Sequence, residues 1–183
     1  MLKKLLIGVC IISAGIASAQ SYCESAMQAA RELSGAVKTG DMLWTIEKMY
    51  PPLKKQLINH IPGGIPALKQ KIQQASAEMK KRGFKVDAYE LKAPTGEYLV
   101  KNKTEALVII PTRMVMTVKR PDNVPVQQEI NGCLIMVKDI KDDSPWSIID
   151  GTKYNVNALR SLFYDLPANV SLPKSSSKIL SGN

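Results

Sequence analysis

Few residues in this chain combine a reactive type with a useful spacing. The best placed are Asp87 and Tyr89, in a segment where Phe84, Val86 and Ala88 alternate with Lys85, Asp87 and Tyr89. Successive strand side chains point to opposite faces, so a regular strand sets Asp87 beside Tyr89, a carboxylate and a phenol able to bind or polarise a small ligand. An ordinary solvated strand face has the same composition, and both readings stand. His60, the single histidine, lies just before Pro62-Gly63-Gly64, where a general base or metal ligand competes with a plain cap at a helix end. One histidine and a pair of distant cysteines give no zinc-ligand spacing, so no metal is expected. There is no G-x-S-x-G, phosphate loop or dinucleotide fingerprint, and Ser147 has no histidine near it in sequence. Hydrolase chemistry and nucleotide cofactors are therefore not expected.

The N-terminus bears on the compartment. Lys3 and Lys4 precede an apolar run from Leu5 to Ile16, and Ala17-Ser18-Ala19 follows. A basic start, a hydrophobic stretch too short to span a bilayer and an A-x-A site are the parts of a signal peptide over 1–19, with cleavage after Ala19. The expected location is secreted or periplasmic. Cleavage removes Cys10 and leaves Cys23 and Cys133, which in an oxidising compartment form either a single disulfide or two unpaired thiols, one of them in a strand. It also removes two lysines, lowering the net charge from +9 to +7. That excess suits anionic partners, but only Lys80-Lys81-Arg82 is contiguous, so a solvated basic face accounts for it without nucleic acid. No later apolar segment is long enough for a transmembrane span.

Helical spacing dominates the first part of the chain. Ala26, Ala30, Leu33 and Val37 recur on one face of a first helix, Asp41 is placed to cap a second that ends at Pro51-Pro52, and Leu53, Leu57 and Ile61 mark a short third. Ile65, Leu68, Ile72, Ala75 and Met79 form the clearest stripe, closed by Gly83. The period then changes to two. Strands are expected at Phe84–Tyr89, Tyr98–Val100, Ala106–Lys119, Val126–Ile140 and Trp146–Gly151, with Pro111 marking an edge or bulge. A closing helix carries Leu159, Leu162, Phe163 and Leu166, and the Ser- and Lys-rich residues 168–183 read as a disordered tail. Met114, Met116, Met136 and Ile135 either fill the core or offer an adaptable apolar surface. Helices before a meander of antiparallel strands define a single α+β domain over 20–167.

That order, with Gly40-Asp41 opening the second helix, Tyr50-Pro51-Pro52 closing it and a final Trp146-x-Ile148-x-Asp150-Gly151 strand, resembles the NTF2-like (SnoaL-like, cystatin-like) superfamily over about residues 22–151. The resemblance implies N-terminal helices packed on a curved sheet that forms a cone, followed here by an additional short C-terminal helix. It implies a homodimer through the open sheet face and a pocket with Trp44, Tyr50 and Tyr98 as walls and Asp87 and Tyr89 as weak catalytic candidates. The expected function is a secreted, non-catalytic binding domain for a protein partner or small apolar ligand. The alternatives are a small-molecule isomerase, dehydratase or cyclase, and an interaction protein whose basic face docks on an acidic partner.

Overall fold

Two long β-branched segments, Glu105–Lys119 (β3) and Pro125–Asp139 (β4), pair in unbroken antiparallel register from Glu105↔Asp139 to Lys119↔Pro125. In this computed structural model, which describes residues 22–181 except 121 and 143, that hairpin is the axis of a six-stranded antiparallel sheet. The proposed signal peptide lies outside the described residues. Lys85–Leu91 (β1) and Gly96–Val100 (β2) pair one after the other along the free edge of β3. Ser147–Asp150 (β5) and Ser176–Ser181 (β6) do the same along β4. The tail expected to lack structure thus supplies an edge strand. Its Ser and Lys residues suit a solvated strand as well as they suit a coil.

Pro111 is neither on an edge strand nor at a bulge. It sits mid-β3 opposite Cys133, and its carbonyl accepts from Lys92 N–H, so its nitrogen faces the turn where β1 gives way to β2. The missing donor falls where no strand partner needs it.

Among the described residues five α-helices accompany the sheet, four of them before it: Tyr22–Thr39 (α1), Met42–Glu47 (α2), Pro51–Asn59 (α3), Gly64–Lys81 (α4) and the later Val156–Leu162 (α5). Pro51 and Pro52, expected to stop α2, occupy the first positions of α3, where a missing N–H costs nothing. The small face of α1 is used as its spacing implies: Ala26, Ala30 and Leu33 pack on Val108, Ile110, Leu134 and Met136.

The opposite face of the same strands, with Leu107, Ile109, Cys133 and Ile135, carries a second cluster closed by Leu159, Phe163, Leu166 and Val170. The expected short C-terminal helix, α5, and the chain after it cover this half of the second face, because Leu159 and Phe163, four apart in sequence, are both fully buried. The α+β class with helices N-terminal is shown. The sheet is open, with helical cover on both faces.

Candidate functional site

The bulge in β1 separates the two residues with the best spacing. Val86 pairs with Met116 and Ala88 with Val115, leaving Asp87 as the extra residue. Asp87 accepts from Thr117 and Gln127, which face each other across β3 and β4, and pairs with Lys85 at 3.1 Å. Tyr89 lies opposite Met114, a residue of opposite parity to Thr117 along β3 and therefore on its other face. One inserted residue reverses the alternation, so the expected Asp87–Tyr89 pair does not exist. The Thr117 hydrogen bond holds Asp87 below its ordinary range, whereas burial, reinforced by Asp150, pushes Tyr89 up to about 12. Neither is a base near neutrality.

The three expected pocket walls also part. Trp44 packs against the α1 cluster, while Tyr50 and Tyr98 belong to the cluster under α5. Tyr50 is buried, its ring 5.5 Å from that of Phe163, and its hydroxyl donates to Glu105 at 3.0 Å while accepting from Lys101. Lys101 also reaches Glu105 at 3.1 Å. Burial raises the Tyr50 phenol. Burial also works to lower Lys101, but the hydrogen bonds to Tyr50 and Glu105 outweigh it and the net shift is upward. The phenol keeps its proton and the ammonium its charge, so the trio ties elements together and supplies no nucleophile. It is anchored by Asp165, whose carboxylate accepts from Lys101 and Asn102 N–H at 2.7 Å each and holds a turn in which Lys101, Asn102 and Lys103 all have positive φ.

His60 is the C-terminal cap of α3, its Nδ1 2.7 Å from the Gln56 carbonyl oxygen. The structure contains no Cys23–Cys133 disulfide. Cys133 faces the α5 cluster and Cys23 the α1 cluster, so the sheet lies between them, and no spacing in the sequence could show that. Among the described residues no group of three or more His, Cys, Asp or Glu is placed to hold a metal, and no helix is long and apolar enough to cross a membrane.

What does converge is a pair the sequence keeps 102 residues apart: Trp44 and Trp146, the chain's two tryptophans, line one open groove of about 240 Å³. Gly40, at φ +74°, ends α1 and lets the chain reverse, and Asp41 then caps α2 by accepting from Trp44 N–H at 3.0 Å. Beyond α2 the backbone joins the sheet: Ile148 N–H donates to the Lys48 carbonyl at 2.8 Å and Tyr50 N–H to the Ile148 carbonyl at 2.9 Å. Those bonds set Lys48 beside β5, with its ammonium 5.6 Å from the Trp44 ring centre. Trp146 is buried, its indole N–H donating to Ser25 Oγ at 3.3 Å. Ser25, Gln28, Ala29 and Glu32, on one face of α1 by their 3-and-4 spacing, make the remaining wall, and Met136 and Ile148 the floor. The groove therefore joins a half-exposed indole and an apolar floor to one cation and one carboxylate at its rim.

Sequence reasoning placed Trp44 near a pocket but missed Trp146, Lys48 and the α1 wall. The Asp41 cap was legible; the strand-like docking of residues 48–50 on β5 carries no local signal. Comparisons of this chain with protein-family models, with curated proteins and with solved structures find no match.

Proposed function

We propose that this chain is a non-catalytic binding domain whose site is the Trp44–Trp146 groove and whose ligand is a short peptide segment presenting an apolar side chain. The observation that carries this reading is the convergence of both tryptophans on one groove with Lys48 and Glu32 at its rim. Its size narrows the ligand. About 240 Å³ falls below the roughly 300–1,000 Å³ of sites that enclose a whole small molecule. It suits a side chain or two of something longer, with opposite charges at the rim to meet the ends or flanks of a peptide. An isomerase, dehydratase or cyclase reading loses its support, since Asp87 and Tyr89 lie on opposite faces and neither lines this groove. Because the only two indoles line the groove, intrinsic fluorescence reports on it directly. Titration with tripeptides bearing a central Leu, Phe or Met gives a saturable shift that Trp44→Ala removes and Lys48→Gln weakens. A flat response to every peptide, or a shift that persists in Trp44→Ala, contradicts the reading.

An NTF2-like kinship for α1 to β5 remains part of this proposal, supported by the helix-before-sheet order and the β5 strand with Trp146 before it and Gly151 after it, with α5 and β6 as additions. Homodimer formation has one favouring observation. On the α1 face, beyond α1 itself, Met114, Met116, Val118 and Ile130 are only half-buried, and Ile179 on β6, opposite Gln128, is 70% exposed. Such a patch favours self-association. Light scattering over a concentration series shows a dimer that Met116→Asp dissociates, whereas a monomer at every concentration rules it out.

A further inference from the structure

The excess of basic residues is concentrated in one segment of the chain. Residues 48–85, which contain α3 and α4, hold nine Lys or Arg and one carboxylate, Glu78, so the rest of the chain after residue 19 is close to neutral. Within this hairpin Lys55, Lys69, Lys71, Lys80, Lys81 and Arg82 are all exposed. Among the described residues two of them pair with carboxylates: Lys69 loosely with Glu47 at 3.8 Å, and Arg82 with Glu78 at 3.1 Å.

The apolar stripe of α4 is only partly used. Leu68 and Ile72 are buried against the neighbouring helices, but Ala75 is exposed and Ile65 remains 49% exposed. Ile65 sits at the hairpin tip with exposed Pro62, Gly63 and Pro66, where Gly63 and Gly64 both have positive φ and turn the chain. Gly63 also meets the Ala67 side chain so closely that an added Cβ would lie 2.9 Å away. The tip is thus a tightly turned apolar knuckle, with Lys55 midway along α3 before it and Lys69 and Lys71 in the second and third turns of α4 after it.

We propose that the α3–α4 hairpin docks this protein on an anionic phospholipid surface, with the Ile65 tip entering the headgroup boundary and Lys55, Lys69 and Lys71 lying against lipid phosphates. An apolar knuckle bordered by lysines combines the two contributions that hold a peripheral protein on a bilayer, buried apolar area and attraction to anionic headgroups. Nucleic acid fits less well. α3 and α4 carry no Phe, Tyr or Trp on which a base could stack, the His60 ring between them is held at the Gln56 carbonyl, Arg82 is already paired with Glu78, and a phosphate backbone gives exposed Ile65 nothing to enter. The Trp44–Trp146 groove plays no part in this inference.

The test is co-sedimentation of the full protein with large unilamellar vesicles, either equimolar phosphatidylglycerol and phosphatidylethanolamine or phosphatidylcholine alone. Binding is expected to the anionic vesicles only and to fall steeply as salt rises. Ile65→Ser, at an exposed position, lowers partitioning by about tenfold, and combined Lys55→Gln, Lys69→Gln and Lys71→Gln by about a hundredfold, taking each lysine as about fivefold. Unchanged melting temperatures establish that both variants fold. Trp44→Ala leaves vesicle binding intact, which separates this inference from the groove reading. Equal binding to both vesicle types, no binding to either, or anionic binding unaffected by Ile65→Ser overturns the proposal. Tighter binding to a 20-base-pair DNA duplex that is indifferent to Ile65→Ser also overturns it, by showing that the hairpin reads phosphate charge alone.

Discussion

Replacing Phe163 with alanine tests whether α5 and the chain after it close the second face of the sheet. Phe163 is fully buried, stacked at 5.5 Å and 37° on Tyr50, and lies beneath the Lys101 ammonium at 5.7 Å from its ring centre. Truncating a buried phenylalanine removes its transfer free energy and leaves a cavity, together about 3–5 kcal/mol. The surroundings have little room to collapse, since the floor is the β3–β4 ladder and the lid is held by Asp165 on the Lys101 turn. Set against a total stability of about 5–15 kcal/mol, that is a large fraction. With a urea dependence of about 2 kcal/mol per molar, the unfolding midpoint moves down by about 2 M at unchanged slope. The neighbouring Tyr164, 70% exposed, is the control, and its alanine variant shifts stability by no more than about 0.5 kcal/mol. Equilibrium urea unfolding followed by far-ultraviolet circular dichroism measures both. A loss below about 1 kcal/mol for Phe163→Ala, or equal losses for the two variants, refutes the second-face closure.

Three other consequences are open to measurement. Burial, with Asp150 adding to it, pushes the Cys133 thiol from 9.0 up to about 11, so at pH 8 about one thiol in a thousand is thiolate; labelling with a disulfide reagent is expected to be at least a hundredfold slower in the folded protein than in urea, and equal rates contradict the burial. Cys133 and Tyr89 both have folded values above their unfolded ones, so stability is full below about pH 9 and declines as pH rises through about 9 to 12; a urea midpoint as high at pH 10.5 as at pH 8 is the contrary outcome. Deleting residues 176–183 removes β6 from the edge of β4, and the amides of Gln127–Asn131 that face it are expected to exchange hydrogen faster while β3 keeps its protection; unaltered exchange shows that the strand is not held in solution.

Much of this fold is written as local pattern. Leu107 to Ile110 and Leu134 to Val137 are unbroken apolar runs because both faces of those strands are covered, and the alternation of residues 113–119 with the turn signal at 120–123 marked the hairpin. Asp41 as a cap and Gly83 as a helix stop follow from single-residue chemistry. The parts that were not legible depend on choices made at a distance. A bulge at Asp87 reverses one strand face without changing the composition of the segment, and Pro111 is tolerated because β1 and β2 break beside it. Trp146 meets Trp44 only because residues 48–50 dock on β5, a pairing that no local spacing encodes. Cys23 and Cys133 gave an even count, but which side of a sheet each occupies is a tertiary fact. The charge of the hairpin differs, since its excess of Lys and Arg already lies within residues 48–85 of the sequence.

The most direct test of the binding-site claim is the pair of indole N–H resonances in a nitrogen-15 correlation spectrum during titration with the tripeptide that shifts the fluorescence most. The groove account predicts that both indole signals move along one saturable curve, with the backbone amides of Gln28, Glu32, Trp44 and Lys48 among the most affected. Saturable shifts confined to other regions, with both indole signals stationary, contradict it.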